Sequence, residues 1–539
     1  MCDNLIVTRM GANCYSNLFK NRGFIYFLWT QFLSAFNDCF SYIVVALVAL
    51  DISGGGKPAI PLIGAVFILP FLLFSGHAGR LADVHSKRTI LIAVQIFQIA
   101  VMLLALPSFF SGRIEPMLTV VFLTGVHAAF FSPAKYGILP EVLSDRELSR
   151  GNGVIVTSTF MAILFGAWLG GAVYEAFKDG LPWIGLVPIA VAVAGTLTSL
   201  GIARVPPSGA AKPFATNPLH EILGGTKILL TNRLLGFAVL GISYFWFLAA
   251  FLHMVLPLFG EEILRLDDSG TRFLWTLAAL GIGAGSLAAG RLSGEKLELG
   301  LVPFGAVGMA FSAIVLFAAG ASFDAAGLAL FSLGFFGGFC SVPLHALLQQ
   351  RSAREQRGRM IAANNLFNTL GILLAAALLW LATVPLQLRF DQILLVLGLV
   401  TLVFTVYIVT VVPQFCVRFP LWLLTHTLYR IRIIGREHVP VRGPALLVSN
   451  HVSFVDAFLI GASMQRFIRF MLHRDYYDLP WLNRLFRLMS VIRISADRRR
   501  EIIDALRRAR RELEEGHVVC IFAEGAISRL GHVLPFKRG

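Results

Sequence analysis

The feature that most limits what this chain can fold into is its series of long apolar runs. About 20 mostly apolar residues cross the hydrocarbon of a bilayer, and runs of that kind fall near 24–50, 59–79, 89–110, 116–134, 153–174, 182–203, 234–259, 271–290, 300–320, 325–348, 360–385 and 391–413. They predict twelve transmembrane helices, each satisfying its own backbone polar groups. Only 14% of the 539 residues are charged, against about a quarter in soluble domains, so a water-soluble protein is excluded. Residues 1–23 are polar and mixed, and the first apolar run is too long for the core of a cleaved signal.

Charge is divided unevenly along the chain. Up to Gln414 there are 25 basic and 20 acidic residues; from Phe415 onward there are 21 and 11. The formal excess of +15 is therefore concentrated in a short tail, which suits a domain held against anionic lipid headgroups and does not call for nucleic acid. With the N-terminus inside, the loops on that side hold 19 Lys and Arg and the opposite loops hold 6. The positive-inside rule then places both termini in the cytoplasm. The six cysteines are scattered, with no CxxC pair and no metal-ligand cluster, so neither a disulfide frame nor a metal site is expected.

The polar, Pro-rich stretch from Arg204 to Asn217 separates two groups of six runs. Gly79-Arg80-Leu81 recurs as Gly290-Arg291-Leu292, and FFSPAKYGIL as FCSVPLHALL, a weak internal repeat of the kind found in secondary transporters. The expected organisation is an N-terminal six-helix half (1–203), a cytoplasmic linker (204–233), a C-terminal six-helix half (234–414), an interfacial connector (415–435) and a tail domain (436–539).

Ionisable residues inside spans are costly and therefore functional suspects. Asp38, beside Asn37 in the first span, is the foremost; His253 in span seven and Asn368 in span eleven follow. Lys135 and Tyr136 end span four, where a cation suits a lipid phosphate, although a lysine there also fits plain snorkelling. For His253 a histidine hydrogen-bonded between helices is the preferred reading over a coupling role.

The stretch GRLADVHSKR, from Gly79 through Asp83 and Lys87 to Arg88, resembles the loop after the second helix of the major facilitator superfamily. The resemblance implies a Gly for close helix contact and a charge network that shuts one face. QFLSAFND at 31–38, SPAKYGILPE at 132–141 and GGFCSVPLHALLQQR at 337–351 look like the lysophospholipid transporter branch of that superfamily. That implies inward movement of a lysophospholipid such as lysophosphatidylethanolamine across a bacterial inner membrane, by a monomeric carrier. A drug or sugar carrier on the same fold is the competing reading, since fold alone does not choose a cargo.

In the tail, an amphipathic segment (416–434) suits an interfacial helix leading into a strand. A short apolar strand (445–449) follows and ends in NHVSFVD, so that His451 and Asp456 form an HxxxxD element. A helix at 498–515 and strands at 491–495 and 517–522 complete an α/β pattern. The region resembles the PlsC-type glycerolipid acyltransferases, and its union with the carrier resembles bacterial fusions of transporter and acyltransferase. The resemblance implies that His451 is the general base and Asp456 its partner. It also implies that Arg493, Glu524 and Gly525 bind the acyl acceptor, with acyl-ACP or acyl-CoA as donor and no bound cofactor. Ala523 stands where that family has Pro, and only 14 residues follow Gly525. The expected fold is thus an all-α membrane protein of twelve helices in two halves, followed by an incomplete α/β acyltransferase domain. The alternative is an exporter of amphipathic compounds with an inactive tail.

Overall fold

The computed structural model describes residues 15–52, 59–177, 181–209, 218–294, 297–320, 322–411, 413–429, 431, 433–435, 438–440, 443–464, 466–495, 499–528, 532 and 534–536. The chain divides into two compact units, Met1–Thr405 and Val406–Gly539.

In the first unit, a short α1 (Ser16–Lys20) leads into α2 (Arg22–Ile52), α3 (Ala59–Val84), α4 (Lys87–Ser111), α5 (Ile114–Val142), α6 (Leu148–Phe177), α7 (Leu181–Ile184) and α8 (Leu186–Leu200). The second half holds α9 (Pro218–Thr231), α10 (Arg233–Glu262), α11 (Asp268–Ser293), α12 (Leu301–Ala318), α13 (Phe323–Arg351), α14 (Arg357–Thr383) and α15 (Phe390–Val411), inside which the division between the units falls. Among the described residues eleven helices are long and apolar enough to cross a membrane. The expected sixth span is instead broken at Gly185 into α7 and α8, the latter of 15 residues. Laid end to end the two still reach about 30 Å at about 1.5 Å per residue. The second part of the linker is the helix α9, which packs on α3, α10 and α14. Residues 210–217 lie outside the described residues.

The two halves meet in a symmetric pair of contacts. Helix α3 packs on α14, and α11, its counterpart in the second half, packs on α6. Gly79 makes the first crossing close: a Cβ there would lie 2.5 Å from Ala362 Cβ and 2.9 Å from the Gly358 carbonyl. The repeated Gly290 does the same at the second, where a Cβ would meet Tyr15 Oη at 2.7 Å and Arg150 Cα at 3.1 Å. Small residues are how helices approach one another in lipid, where no hydrophobic effect drives association.

The second unit opens with α16 (Pro413–Leu428), which packs on α17. Then follow β1 (Ala445–Ser449), α17 (Asp456–Ser463), β2 (Ile468–His473), α18 (Arg474–Tyr477), α19 (Pro480–Leu488), β3 (Ile492–Ile494), α20 (Arg499–Glu514) and β4 (Val518–Phe522). The strand expected at the end of the 416–434 segment does not form among its described residues, and β2 was not expected. The sheet is parallel with order β1-β4-β2-β3, Ala445 facing Val518 and Ile468 also facing Val518. Alternate residues feed two small cores. Ile468, Phe470, Val518 and Cys520 pack with Ala457 and Ile460 of α17, whereas Met471, Ile492 and Val519 pack with Ala505 and Ala509 of α20. The helices therefore cover opposite faces, as two right-handed crossovers running in opposite directions require. On the α20 face β1 stays uncovered, with Leu446 56% and Val448 58% exposed.

Candidate functional site

The second unit concentrates its chemistry where topology predicts. Strands β1 and β4 are parallel neighbours, so their C-terminal ends open side by side, the end of an α/β sheet where ligands bind. His451 lies just past β1, and Glu524 and Gly525 just past β4. His451 Nδ1 is 2.9 Å from Asp456 Oδ2, which also accepts the backbone N–H groups of Val452 (2.7 Å) and Ser453 (2.8 Å). Burial works to raise the Asp456 carboxyl, but the Ser453 N–H, the His451 imidazole and the Val452 N–H outweigh it and hold the group below the usual carboxylate range. A carboxylate fixed in this way keeps the proton on Nδ1 and leaves Nε2 as the basic nitrogen. Burial pushes the Cys520 thiol on β4 up to about 12, so this thiol is no nucleophile at neutral pH.

Of the expected acceptor residues, Glu524 and Gly525 join His451 and Asp456. Arg493 does not. It sits on β3, three strands from β1 and so about 14 Å away across the sheet. There it pairs with Asp478 at 2.8 Å and Glu501 at 3.5 Å.

In the first unit, Asp38 Oδ1 accepts a hydrogen bond from Gln98 Nε2 at 3.0 Å and lies 3.3 Å from Nδ1 of the fully buried His127. Asn37 is also fully buried, and among the described residues neither polar atom of its amide meets a partner. Lys135 Nζ donates to Thr159 Oγ1 at 3.0 Å and lies 5.3 Å from the Tyr136 ring. Thr159 in turn donates to Gln31 Oε1 at 3.0 Å. The strip is polar and mostly buried.

Beside it, an apolar cavity of about 260 Å³ is walled chiefly by α10, α11 and α13, with Phe160, Phe245, Trp246 and Leu333 on its surface. His253 lines this cavity, edge to face with Trp275 at 4.7 Å. Asn368 Oδ1 accepts from Ser243 Oγ at 2.9 Å, which joins α14 to α10.

The charge network forms at the end where α3, α5 and α13 finish and α6 and α14 begin. Asp83 Oδ1 accepts the Gly358 N–H at 2.6 Å, and its Oδ2 accepts the Arg359 N–H at 3.1 Å. Lys87 is buried and donates to Glu141 and Ser208, each at 2.6 Å. Arg88 caps the end of α8, donating to the Leu200 and Ile202 carbonyls at 2.8 Å. Two further pairs join the halves at this end: the amides of Asn152 and Gln349 bond reciprocally at 2.7 and 3.0 Å, and Tyr136 stacks on His345 at 4.9 Å. This end of the carrier is shut. His127, Gln98 and Gln31 escaped the sequence reading, although a histidine inside span four falls under the same rule that singled out Asp38.

The Major Facilitator Superfamily model matches residues 27–376, and the Acyltransferase model matches residues 430–539. Over 369 residues the chain is 31% identical to the lysophospholipid transporter LplT of Cronobacter sakazakii (strain ATCC BAA-894), covering 67% of this chain and 89% of that one. It is 30% identical over 376 residues to LplT of Escherichia coli (strain K12), covering 67% and 91%. Among solved structures, a bacterial homologue of the iron transporter ferroportin in an outward-facing state superposes with a TM-score of 0.58 at 16% identity, over 73% of this chain and 99% of that one. The transporter FucP in the outward conformation gives 0.59 at 11% identity, over 72% and 98%. At these identities the structures speak for the fold alone.

Proposed function

The chain belongs to the major facilitator superfamily, among the relatives of the lysophospholipid transporters, and carries an acyltransferase domain behind its carrier; from that premise we propose that it moves lysophospholipid inward and reacylates it. The observation that carries the reading is the union, in one chain, of a carrier with separate polar and apolar sites and a His–Asp pair suited to acylating a glycerol hydroxyl.

In the carrier, Lys135 takes the phosphate of the headgroup and Asp38 takes the ammonium of an ethanolamine. The acyl chain lies along the cavity walled by Phe160, Phe245 and Trp246, as an amphipath requires of a mostly apolar pocket with a few polar contacts. The shut end faces the cytoplasm by the 19-to-6 distribution of basic residues, so cargo enters from the opposite leaflet. The membrane is a bacterial inner membrane with both termini cytoplasmic, and the carrier works as a monomer.

In the second unit, His451 Nε2 removes the proton of the acceptor hydroxyl as its oxygen attacks the thioester carbonyl of acyl-ACP or acyl-CoA. The new ester C–O bond forms, the C–S bond breaks, and the imidazolium returns its proton to the thiolate. Asp456 supports the transient positive charge. No acyl-enzyme is needed, in keeping with the protonated, buried Cys520.

Proteoliposomes given labelled lysophosphatidylethanolamine in the outer leaflet test the transport half. The label is expected to become resistant to albumin extraction at a rate above protein-free vesicles. An unchanged rate, with export of amphipathic compounds instead, selects the exporter reading.

A further inference from the structure

Every handle of His451 is held except Nε2, and three of the holds come from the far end of β4. The Phe522 ring stacks on the imidazole with centroids 4.1 Å apart and planes 21° from parallel. The Ser528 N–H donates to the His451 carbonyl at 2.7 Å. The His451 N–H in turn donates to Glu524 Oε1 at 3.4 Å.

Glu524 is only 2% exposed, and among the described residues its Oε2 is closed off from solvent with no hydrogen-bond partner. A substrate arriving from solution cannot reach such an oxygen. The cost of keeping a buried carboxylate is considerable, so its retention needs a return, and among the described residues the hydrogen bond it accepts comes from the histidine loop. The turn that aims it there closes with the Gly525 N–H on the Phe522 carbonyl at 3.0 Å and sets Gly525 at φ 60°, a left-handed conformation that favours glycine.

We infer that Glu524 is a positioning residue that fixes the backbone of His451, and not a ligand of the acyl acceptor. The inference rests on the acyl-transfer reading of this site and assigns Gly525 the same supporting part. It also sets the substitution ladder: an amide oxygen at position 524 can accept the same N–H, whereas a methyl group cannot.

The test uses the full chain in proteoliposomes. Glu524→Ala is expected to lower kcat by about 100-fold, the scale of a small misplacement of a catalytic group, with the acceptor KM held within about 2-fold. Glu524→Gln is expected to recover most of that loss. Independently of turnover, the rate at which diethyl pyrocarbonate modifies His451, read by peptide mass spectrometry, is expected to rise in Glu524→Ala and stay at the wild-type rate in Glu524→Gln. A raised KM with kcat preserved, a Gln variant as poor as Ala, or unchanged modification in Glu524→Ala overturns the inference. If the wild type transfers no acyl group, the acyltransferase reading fails, and the modification rates alone decide the role of Glu524.

Discussion

Asp83, at the end of α3, pairs with Arg359, at the start of α14 in the other half, with Arg359 Nε 3.3 Å from its Oδ2. The same carboxylate caps the first turn of α14 through two backbone N–H groups, where the helix dipole favours a negative charge. Because Asp83 is fully buried, removing it takes the acceptor away from the Gly358 and Arg359 backbone N–H groups. Leaving buried donors unsatisfied costs about 1–3 kcal/mol each, enough to shift a closed-to-open ratio by about tenfold or more. Asp83→Ala is therefore expected to open this end, read as a longer and broader distance between spin labels placed on α5 and α13. An unchanged distance distribution would show that the Asn152–Gln349 and Tyr136–His345 contacts hold the end shut without Asp83.

Asp38 accepts from Gln98 and sits beside His127 in the interior of the first half. Asp38→Asn keeps the shape and the hydrogen bond but removes the charge offered to an ammonium headgroup. Uptake of lysophosphatidylethanolamine is expected to fall at least about tenfold, with membrane insertion unaffected, since one lost charge-assisted contact amounts to about 1.5–3 kcal/mol. Uptake equal to wild type removes Asp38 from the cargo site.

Asp456→Asn tests the tautomer that the His451–Asp456 pair imposes. An amide can offer its NH₂ to Nδ1 and so favour the wrong tautomer, and acyl transfer is expected to drop by about 10²–10⁴-fold, the usual range for a general base. Lipid uptake should be untouched. A loss below about tenfold would mean that His451 is oriented by Phe522 and the loop backbone alone.

The depressed Asp456 carboxyl also makes a pH statement. A group whose pKa is lower folded than unfolded contributes stability above its unfolded value, about 3.9, and loses it as pH falls through the folded value. The Val452 and Ser453 amides, both donating to Asp456, should therefore stay protected from exchange throughout the neutral range and down to about pH 4. Protection lost near pH 6 would contradict this pairing.

Arg469 on β2 is 8% exposed and pairs with Glu512 of α20 at 3.1 Å. Glu512→Ala strands a buried guanidinium and is expected to destabilise the second unit by about 3 kcal/mol. Hydrogen exchange should rise across β2 and α20 while α3 and α14 stay unchanged. Equal exchange in both variants would mean that water already serves Arg469.

How much of this was legible in the sequence depended on whether neighbours along the chain carried the signal. The apolar pentad Ala445–Ser449 announced β1, and the long apolar runs announced the carrier, because burial there leaves a local pattern. Strand β2 hid behind Arg469, whose charge is neutralised by Glu512, 43 residues away. The break at Gly185 was invisible for a similar reason, since an apolar run reads alike whether its helix is continuous or interrupted. His451 and Asp456 stood in one compact motif and come together. Arg493 does not join them, because strand order sets its distance from His451 and order is not written in any one strand.

The central claim is that one chain delivers a lysophospholipid and acylates it. The direct measurement uses proteoliposomes with the acyltransferase side facing the lumen, loaded with acyl donor and given labelled lysophosphatidylethanolamine outside. Wild type is expected to accumulate labelled diacyl phospholipid inside, whereas His451→Ala accumulates albumin-resistant lysophospholipid at the wild-type rate and forms no diacyl product. Diacyl product formed equally by His451→Ala, or no protected label in the wild type, would contradict the account.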